Sequence, residues 1–451
     1  MEWIDAATAA ARLGVKPATL YAYVSRGVLR RRHGEDGRRS LFSAEEVERL
    51  ARRGRPRSQP PELVIESAVT ALGVDRPYYR GIDALGLACT ASFEAVAEWL
   101  WTGDRTVWEH PGNQTTATTP DLQGGQETAR NPQGGQAGAT VPGPGDGRVA
   151  GPVTGARDGE VGGRSWWCEP AEGLRAAVAA QRGLPADLLP LDRLQVITTV
   201  LGASDTLRFQ LDPVSVAATG RRLIAGLVDA LPRLGDPPRG DSIAERLWSR
   251  LCPRPAAPPL LDALSAALVL LADHELAAST LAARVAASAK ADPYAVVLTG
   301  LGVLGGPLHG GASYGAERLL AEIADPGQAP RAIAERVRRG ERIPGFGHSV
   351  YKNGDGRGGL LLDLVKEAAP GHERIAAGQA VLAEMRRRRL PDRNIDFALA
   401  TLAAVSGMTP GAGEAIFAVA RVAGWLAHAM EEYDRGALLR LRASYTGPPI
   451  T

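Results

Sequence analysis

Ala415-Ile416-Phe417-Ala418-Val419-Ala420-Arg421-Val422-Ala423-Gly424-Trp425-Leu426-Ala427-His428-Ala429-Met430 is almost unbroken apolar sequence, and Arg421 and His428 are its only ionisable groups. It is too long for an ordinary strand and rich in Ala, so it reads as a buried helix. A guanidinium inside such a helix carries a large desolvation cost unless something answers its charge. The segment therefore needs an internal acid, in a structural ion pair, or an anionic ligand. Working outward, helical patterns recur from Glu169 onward, as in Leu261, Leu264, Leu268 and Leu271 on one face. Pro and Gly punctuate them at Gly183-Leu184-Pro185, Asp212-Pro213 and Asp236-Pro237-Pro238. No convincing run of alternating strands interrupts the series, so the fold class is all-α.

At 451 residues the chain has room for two or three domains, and 45% hydrophobic with 23% charged residues excludes wholesale disorder. Its 53 Gly and 32 Pro exceed ordinary usage and must gather in loops and linkers. Lys and Arg number 52 against 50 Asp and Glu, so the chain as a whole is no nucleic-acid coat. Residues 1–57 differ, with twelve Arg and one Lys against seven acids. Cys89, Cys168 and Cys252 are odd in number and far apart, which fits neither a disulfide framework nor a zinc ribbon. The N-terminus has no basic and apolar leader pattern, and no apolar run reaches about 18 residues. The expectation is a cytoplasmic protein with no membrane partner.

The basic end reads as a domain over 1–54. Helical patterns at Ala7 to Leu13 and Thr19 to Ser25 are separated by Gly14-Val15-Lys16-Pro17. Two short β-like runs, Leu29 to Arg32 and Arg38 to Phe42, flank a Gly-rich tip, and Ser43-Ala44-Glu45-Glu46 starts a third helix. Helix, turn, helix and wing in this order resemble the excisionase/MerR-type helix-turn-helix. That resemblance implies a DNA partner, met by Lys16, Thr19, Tyr21, Tyr23 and Arg26 in a groove and by Arg30, Arg31, Arg38 and Arg39 at phosphates. The alternative is a basic module that packs on protein. Residues 55–61 read as a stiff linker. Residues 111–165 lack Phe, Tyr, Trp, Ile, Met and Lys and read as a disordered insertion within a domain spanning 62–451.

Three histidines stand out. His274 follows an apolar helix in Leu271-Ala272-Asp273-His274-Glu275, while His309 and His348 sit among glycines in Gly306-Pro307-Leu308-His309-Gly310-Gly311 and Pro344-Gly345-Phe346-Gly347-His348. Glycines strip away neighbouring side chains and let backbone and ligand approach. The gaps between these histidines fit no short metal motif, so no metal site is expected. Asp396 opens another apolar run, where a helix cap is the simplest reading. Arg357 follows a Gly-rich turn, where a basic side chain can face an anion.

These pieces, in this order, resemble the citrate synthase family over roughly residues 62–110 and 166–448. The matching motifs continue with Val350-Tyr351-Lys352-Asn353, Asn394-Ile395-Asp396-Phe397, Arg421-Val422-Ala423-Gly424-Trp425 and Arg440-Leu441-Arg442. The resemblance implies a large helical domain with a smaller one and a homodimer sharing its active sites. It implies acetyl-CoA and oxaloacetate as substrates, without metal or redox cofactor. Asp396 would take the methyl proton, His309 would donate to the thioester oxygen and His348 would polarise the ketone. His274, Arg357, Arg421 and Arg440, the last from the other subunit, would hold the oxaloacetate carboxylates. Pro344, Gly345, Phe346 and Gly347 would meet CoA. The sequence departs from the family at Leu276-Ala277, Ser349, Gly354-Asp355-Gly356 and Leu441, none of which removes a catalytic group.

The expected activity is citrate formation, the step by which acetyl-CoA enters the tricarboxylic acid cycle. One alternative is 2-methylcitrate synthesis from propionyl-CoA, because a pocket discriminates one methylene by only about 1–3 kcal/mol. The other is a DNA-binding regulator whose synthase-like body senses a metabolite.

Overall fold

The computed structural model describes residues 3–13, 15, 17–25, 29–34, 40–47, 64–108, 166–352, 354–443 and 445–447. Lys16, Arg26, Arg38, Arg39, the linker at 55–61 and the insertion at 111–165 lie outside the described residues. The chain divides into two compact units, Met1–Glu66 and Ser67–Thr451.

In the first unit, helices Ala6–Leu13 and Pro17–Ser25 are accompanied by an antiparallel sheet in the order Trp3–Asp5, Ser40–Ser43, Arg31–His33. Ile4 pairs with Phe42 and Arg32 with Leu41. The two wing strands match expectation. Trp3–Asp5 is an addition: just ahead of the first helical pattern it forms a third strand, and Asp5 Oδ1 then accepts the N–H of Thr8 at 2.7 Å. That cap is why the strand turns directly into a helix. Ile4, Leu20, Leu29, Phe42 and Val47 form this unit's own core. Residues 44–47 are helical, and Ser43 Oγ accepts from the Glu46 amide at 3.5 Å, as the capping pattern requires.

Among the described residues, the regular structure of the second unit is helical except for a meander of Thr70–Leu72, Pro77–Tyr79 and Ile82–Asp83. Strands of two or three residues are too short to leave an alternation pattern, which is why the sequence conceals them. Helix Ala412–Arg435 runs through the centre, buried on all sides from Ala412 to Met430. Around it pack Phe93–Thr102, Pro213–Ala230, Pro258–Leu271, Ala278–Ser288 and Pro293–Leu304. Ala329–Arg338 packs on Glu373–Arg387, which meets Ile395–Ser406 and Gly311–Ala321, while Gly356–Ala368 packs between Ile395–Ser406 and Pro258–Leu271. Close approach to the central helix is bought with glycine: a Cβ on Gly424 would collide with the Asp273 carboxylate and the Ala272 carbonyl. Among the described residues, no helix is long and apolar enough to cross a membrane.

Candidate active site

Arg421 is wholly buried on the central helix. Its Nε donates to the carbonyl of Leu271 at 2.7 Å and its guanidinium lies 4.7 Å from the Phe417 ring centroid. Nη1 and Nη2 have no hydrogen-bond partner among the described residues. Burial holds its pKa down to about 10, and the nearby Asp273 carboxylate opposes that fall. A charge so placed, aimed at a cavity with two unpaired N–H edges, is built to receive an anion.

Leu271 ends the helix that delivers His274. The turn is fastened by Asp273, fully buried, whose Oδ2 lies 3.2 Å from His428 Nε2 and accepts the Glu275 amide at 3.1 Å. His274 Nε2 sits 2.9 Å from the Tyr351 hydroxyl, and its ring meets the edge of His348 at 5.2 Å. Burial, then Arg357 and Arg421, keep His274 well below the ordinary imidazole range. It is a neutral ring.

His348 Nδ1 accepts the backbone N–H groups of Val350 and Tyr351 at 3.0 and 3.2 Å. A neutral ring that accepts at Nδ1 carries its proton on Nε2. Burial first, then the Arg357 charge, lower its pKa to about 4. Arg357 is itself buried, held by Asp355 through Nε at 3.0 Å and Nη2 at 2.9 Å. Burial disfavours its charge, but Asp355 outweighs that and leaves the guanidinium more basic than usual. The Gly-rich turn thus hides an ion pair, and Asp355 also accepts the Ile395 amide at 3.0 Å, joining the turn to the Asp396 helix.

His309 precedes helix Gly311–Ala321 in a tight turn closed by its amide on Gly306 O at 2.9 Å. Its Nε2 is 2.7 Å from Ser279 Oγ, which also accepts from Trp425 Nε1 at 3.2 Å. When Ser279 gives its one proton to Nε2, the ring proton of His309 sits on Nδ1. Burial, then Arg421, bring this ring to about 4.

Asp396 is not the cap of its helix. Asn394 is, through Oδ1 and the Asp396 amide at 3.0 Å, which frees the aspartate side chain. Its carboxylate is buried and accepts from Ser313 Oγ at 2.5 Å. Burial raises it to about 6 against the opposing pull of Ser313 and Arg357. Asn394 also reaches the glycine strip: its amide donates to Gly345 O at 3.0 Å and its Nδ2 to Gly347 O at 2.9 Å. Gly345 and Gly347 both have φ of +82°, and a Cβ on Gly345 would stand 2.9 Å from that of Phe397. Only glycine lets this strip lie so close.

One cavity of about 920 Å³ is lined by His274, His309, His348, Arg357, Asp396 and Arg421, with Pro344 to Gly347 along its wall. Its volume suits a cofactor-sized ligand. Arg440 is the exception among the expected site residues. It is exposed on its own chain, in a segment tied down by the Leu439 amide on Ser288 Oγ at 3.1 Å. Sequence reasoning assigned no role to Ser279, Ser313, Tyr351 or Asn394, the polar residues that hold the others.

The family profile described as "Citrate synthase, C-terminal domain" matches residues 167–442. The chain belongs to the citrate synthase family. It is therefore a condensing acyltransferase by family, and a helix-turn-helix domain profile matches residues 3–55. Citrate synthase 2 of Bacillus subtilis is 34% identical over 307 residues, 61% of this chain and 81% of that one. A 2-methylcitrate synthase 2 of Corynebacterium glutamicum is 31% identical over 281 residues, 58% and 73% of the two chains. Citrate synthase family membership thus leaves the acyl substrate open. The fold is that of the citrate synthase from Thermotoga maritima, at a TM-score of 0.60 and 22% identity over 88% of this chain and 96% of that one. A citrate synthase of Thermoplasma acidophilum, solved with carboxymethyl coenzyme A and oxaloacetate, gives a TM-score of 0.62 at 20% identity, covering 86% and 96%.

In the helix-turn-helix unit, Thr19 and Tyr21 are exposed on helix Pro17–Ser25. Tyr23, expected at a groove, instead packs against the unit's core. Arg30, expected at phosphate, is engaged by Glu46 at 2.6 Å.

Proposed function

We propose that this chain is a citrate synthase, condensing acetyl-CoA with oxaloacetate and water to citrate and free CoA, as at entry to the tricarboxylic acid cycle. The observation that carries this reading is the pair of unpaired Arg421 nitrogens in a cavity that also holds Asp396 and three neutral histidines. A dicarboxylate supplies the missing acceptors, with His274 and Arg357 beside Arg421.

Asp396, made more basic by burial, removes a methyl proton from acetyl-CoA. The thioester oxygen gathers charge as the enol forms, and the His309 N–H donates to it. A neutral imidazole suits this role, since it stabilises the developing charge without giving up its proton. The enol carbon attacks the oxaloacetate ketone, whose oxygen receives the His348 Nε2–H. Water then cleaves the thioester of the citryl intermediate. The glycine strip 344–347 offers main-chain groups to CoA, and the chemistry calls on no metal or redox cofactor.

The reading extends to a homodimer. Leu281 and Val285 stand exposed one turn apart on helix Ala278–Ser288, beside the segment that carries exposed Leu438, Arg440 and Leu441. An apolar strip next to an unused arginine favours a second copy. The exposed Thr19 and Tyr21 favour DNA as the partner of the N-terminal unit. Three free cysteines favour a cytoplasmic setting.

The test is oxaloacetate-dependent release of CoA, followed with a thiol reagent, with acetyl-CoA and with propionyl-CoA in parallel. The expected result is release with a higher kcat/KM for acetyl-CoA. A higher value for propionyl-CoA makes the chain a 2-methylcitrate synthase, the reading favoured by the Corynebacterium relative. No release with either, from folded protein, removes the synthase reading.

A further inference from the structure

Ser313 lies in the first turn of helix Gly311–Ala321 and is wholly buried. Its Oγ is 2.5 Å from Oδ1 of Asp396, a residue 83 positions away in the chain. An ionised carboxylate only accepts hydrogen bonds, so the serine hydroxyl is the donor. Asp396 Oδ2 accepts no hydrogen bond among the described residues, and Asp396 lines the cavity.

The serine is held from several sides. Its amide donates to Gly310 O at 2.9 Å, in the turn that also fixes His309. One turn further on, Glu317 accepts the amides of Gly411 and Gly413 at 2.7 and 2.8 Å, fastening the same helix to the start of the Arg421 helix. A Cβ on Gly413 would stand 3.2 Å from that of Ser313, so glycine there lets the start of the Arg421 helix pack closely beside the serine.

We propose that Ser313 is a positioning residue for enolisation: its hydroxyl fixes the plane of the Asp396 carboxylate, occupies Oδ1 and leaves Oδ2 to take the substrate proton. The proposal rests on the reading of Asp396 as the base. A hydrogen bond to the charged form also favours that form, so Ser313 keeps a buried carboxylate ionised. A serine that merely filled the core would do neither.

The experiment compares full-length wild type, Ser313→Ala and Ser313→Thr, with Asp396→Asn as control. It measures kcat, KM for oxaloacetate and the pH dependence of kcat/KM. In the alanine variant kcat falls about tenfold or more, as expected for loss of a hydrogen bond to a charged group. KM for oxaloacetate stays within about twofold and the acid limb moves to higher pH. Threonine, which keeps the hydroxyl, keeps the acid limb of the wild type. An alanine variant whose acid limb coincides with the wild type overturns the proposal. Should alanine fail to fold, Ser313→Cys, nearly isosteric and a weak donor, is read by the same upward shift. Failure of the underlying reading looks different: the wild type releases no CoA, or Asp396→Asn still turns over.

Discussion

Arg421 Nε donates to the carbonyl oxygen of Leu271 at 2.7 Å, and that bond holds the guanidinium where Nη1 and Nη2 meet no acceptor among the described residues. The arrangement costs stability, because the nearby Asp273 carboxylate only partly offsets the burial of a charge whose two Nη groups are not hydrogen-bonded. Occupation by a carboxylate would recover it.

Arg421→Met should therefore leave the thermal midpoint unchanged or raise it, since the side chain fills similar space without a charge. Two charge-assisted hydrogen bonds go with the guanidinium, so KM for oxaloacetate should rise about a hundredfold or more. Thermal shift with and without oxaloacetate checks this. Stabilisation by oxaloacetate that persists in the methionine variant would remove Arg421 from the carboxylate site.

The pH profile should show one acid limb centred near the Asp396 value of about 6. The base acts deprotonated, so activity rises as pH climbs through that value and falls about tenfold per unit below it. His309 and His348, both brought to about 4 by burial, stay neutral through this range and add no limb. Glu414, pushed up to about 7 by burial and by neighbouring Glu317, titrates close to that range but is absent from the cavity wall, so Glu414→Gln should leave an acid limb governed by Asp396. Asp396→Asn should lower kcat by about 10²–10⁴ while oxaloacetate still raises the thermal midpoint. A limb centred near 4 would contradict the burial argument.

Arg421 was legible in the sequence because an arginine inside a long apolar run has no cheap explanation, and the structure buries it with no acid hydrogen-bonded to its Nη groups among the described residues. His309 and His348 were legible from their glycines, and both line the cavity. Ser279, Ser313, Tyr351 and Asn394 were not. Short polar residues are common, and what distinguishes these is a partner remote in sequence: Ser279 lies 30 residues from His309 and Tyr351 lies 77 from His274. Asp355 shows the same limit from the other direction, since a Gly-rich turn suggested a free arginine and concealed the carboxylate that pairs with it. The helices declared themselves through length, whereas Trp3–Asp5 and the 70–83 meander are too short for any periodicity to register.

Arg440 is exposed on its own chain and absent from the cavity wall, so any part in the chemistry would have to be played in a second copy's site. Arg440→Ala and Asp396→Asn should each be nearly inactive alone. If Arg440 completes the partner's site, mixed dimers hold one site with both residues intact. Unfolding and refolding equal amounts together should then restore about a quarter of wild-type activity, the share of intact sites expected from random pairing. No recovery, from mixtures shown to contain mixed dimers, would place Arg440 outside the shared site.

Thr19 stands exposed on helix Pro17–Ser25, while Leu20 beside it is fully buried. A charge at Thr19 should therefore change the outer face of that helix without disturbing the core. If this face enters a DNA groove, Thr19→Glu sets a carboxylate against phosphates and should weaken binding more than about tenfold. Gel shift of the full-length protein on genomic fragments is the measurement, repeated at several salt concentrations. For the wild type, log affinity should fall linearly with log salt, because phosphate contacts release counterions. CoA release by Thr19→Glu should match the wild type, separating the face from the catalytic unit. Equal DNA binding by both proteins would exclude this face, and no binding by the wild type would leave the N-terminal unit a protein-binding module.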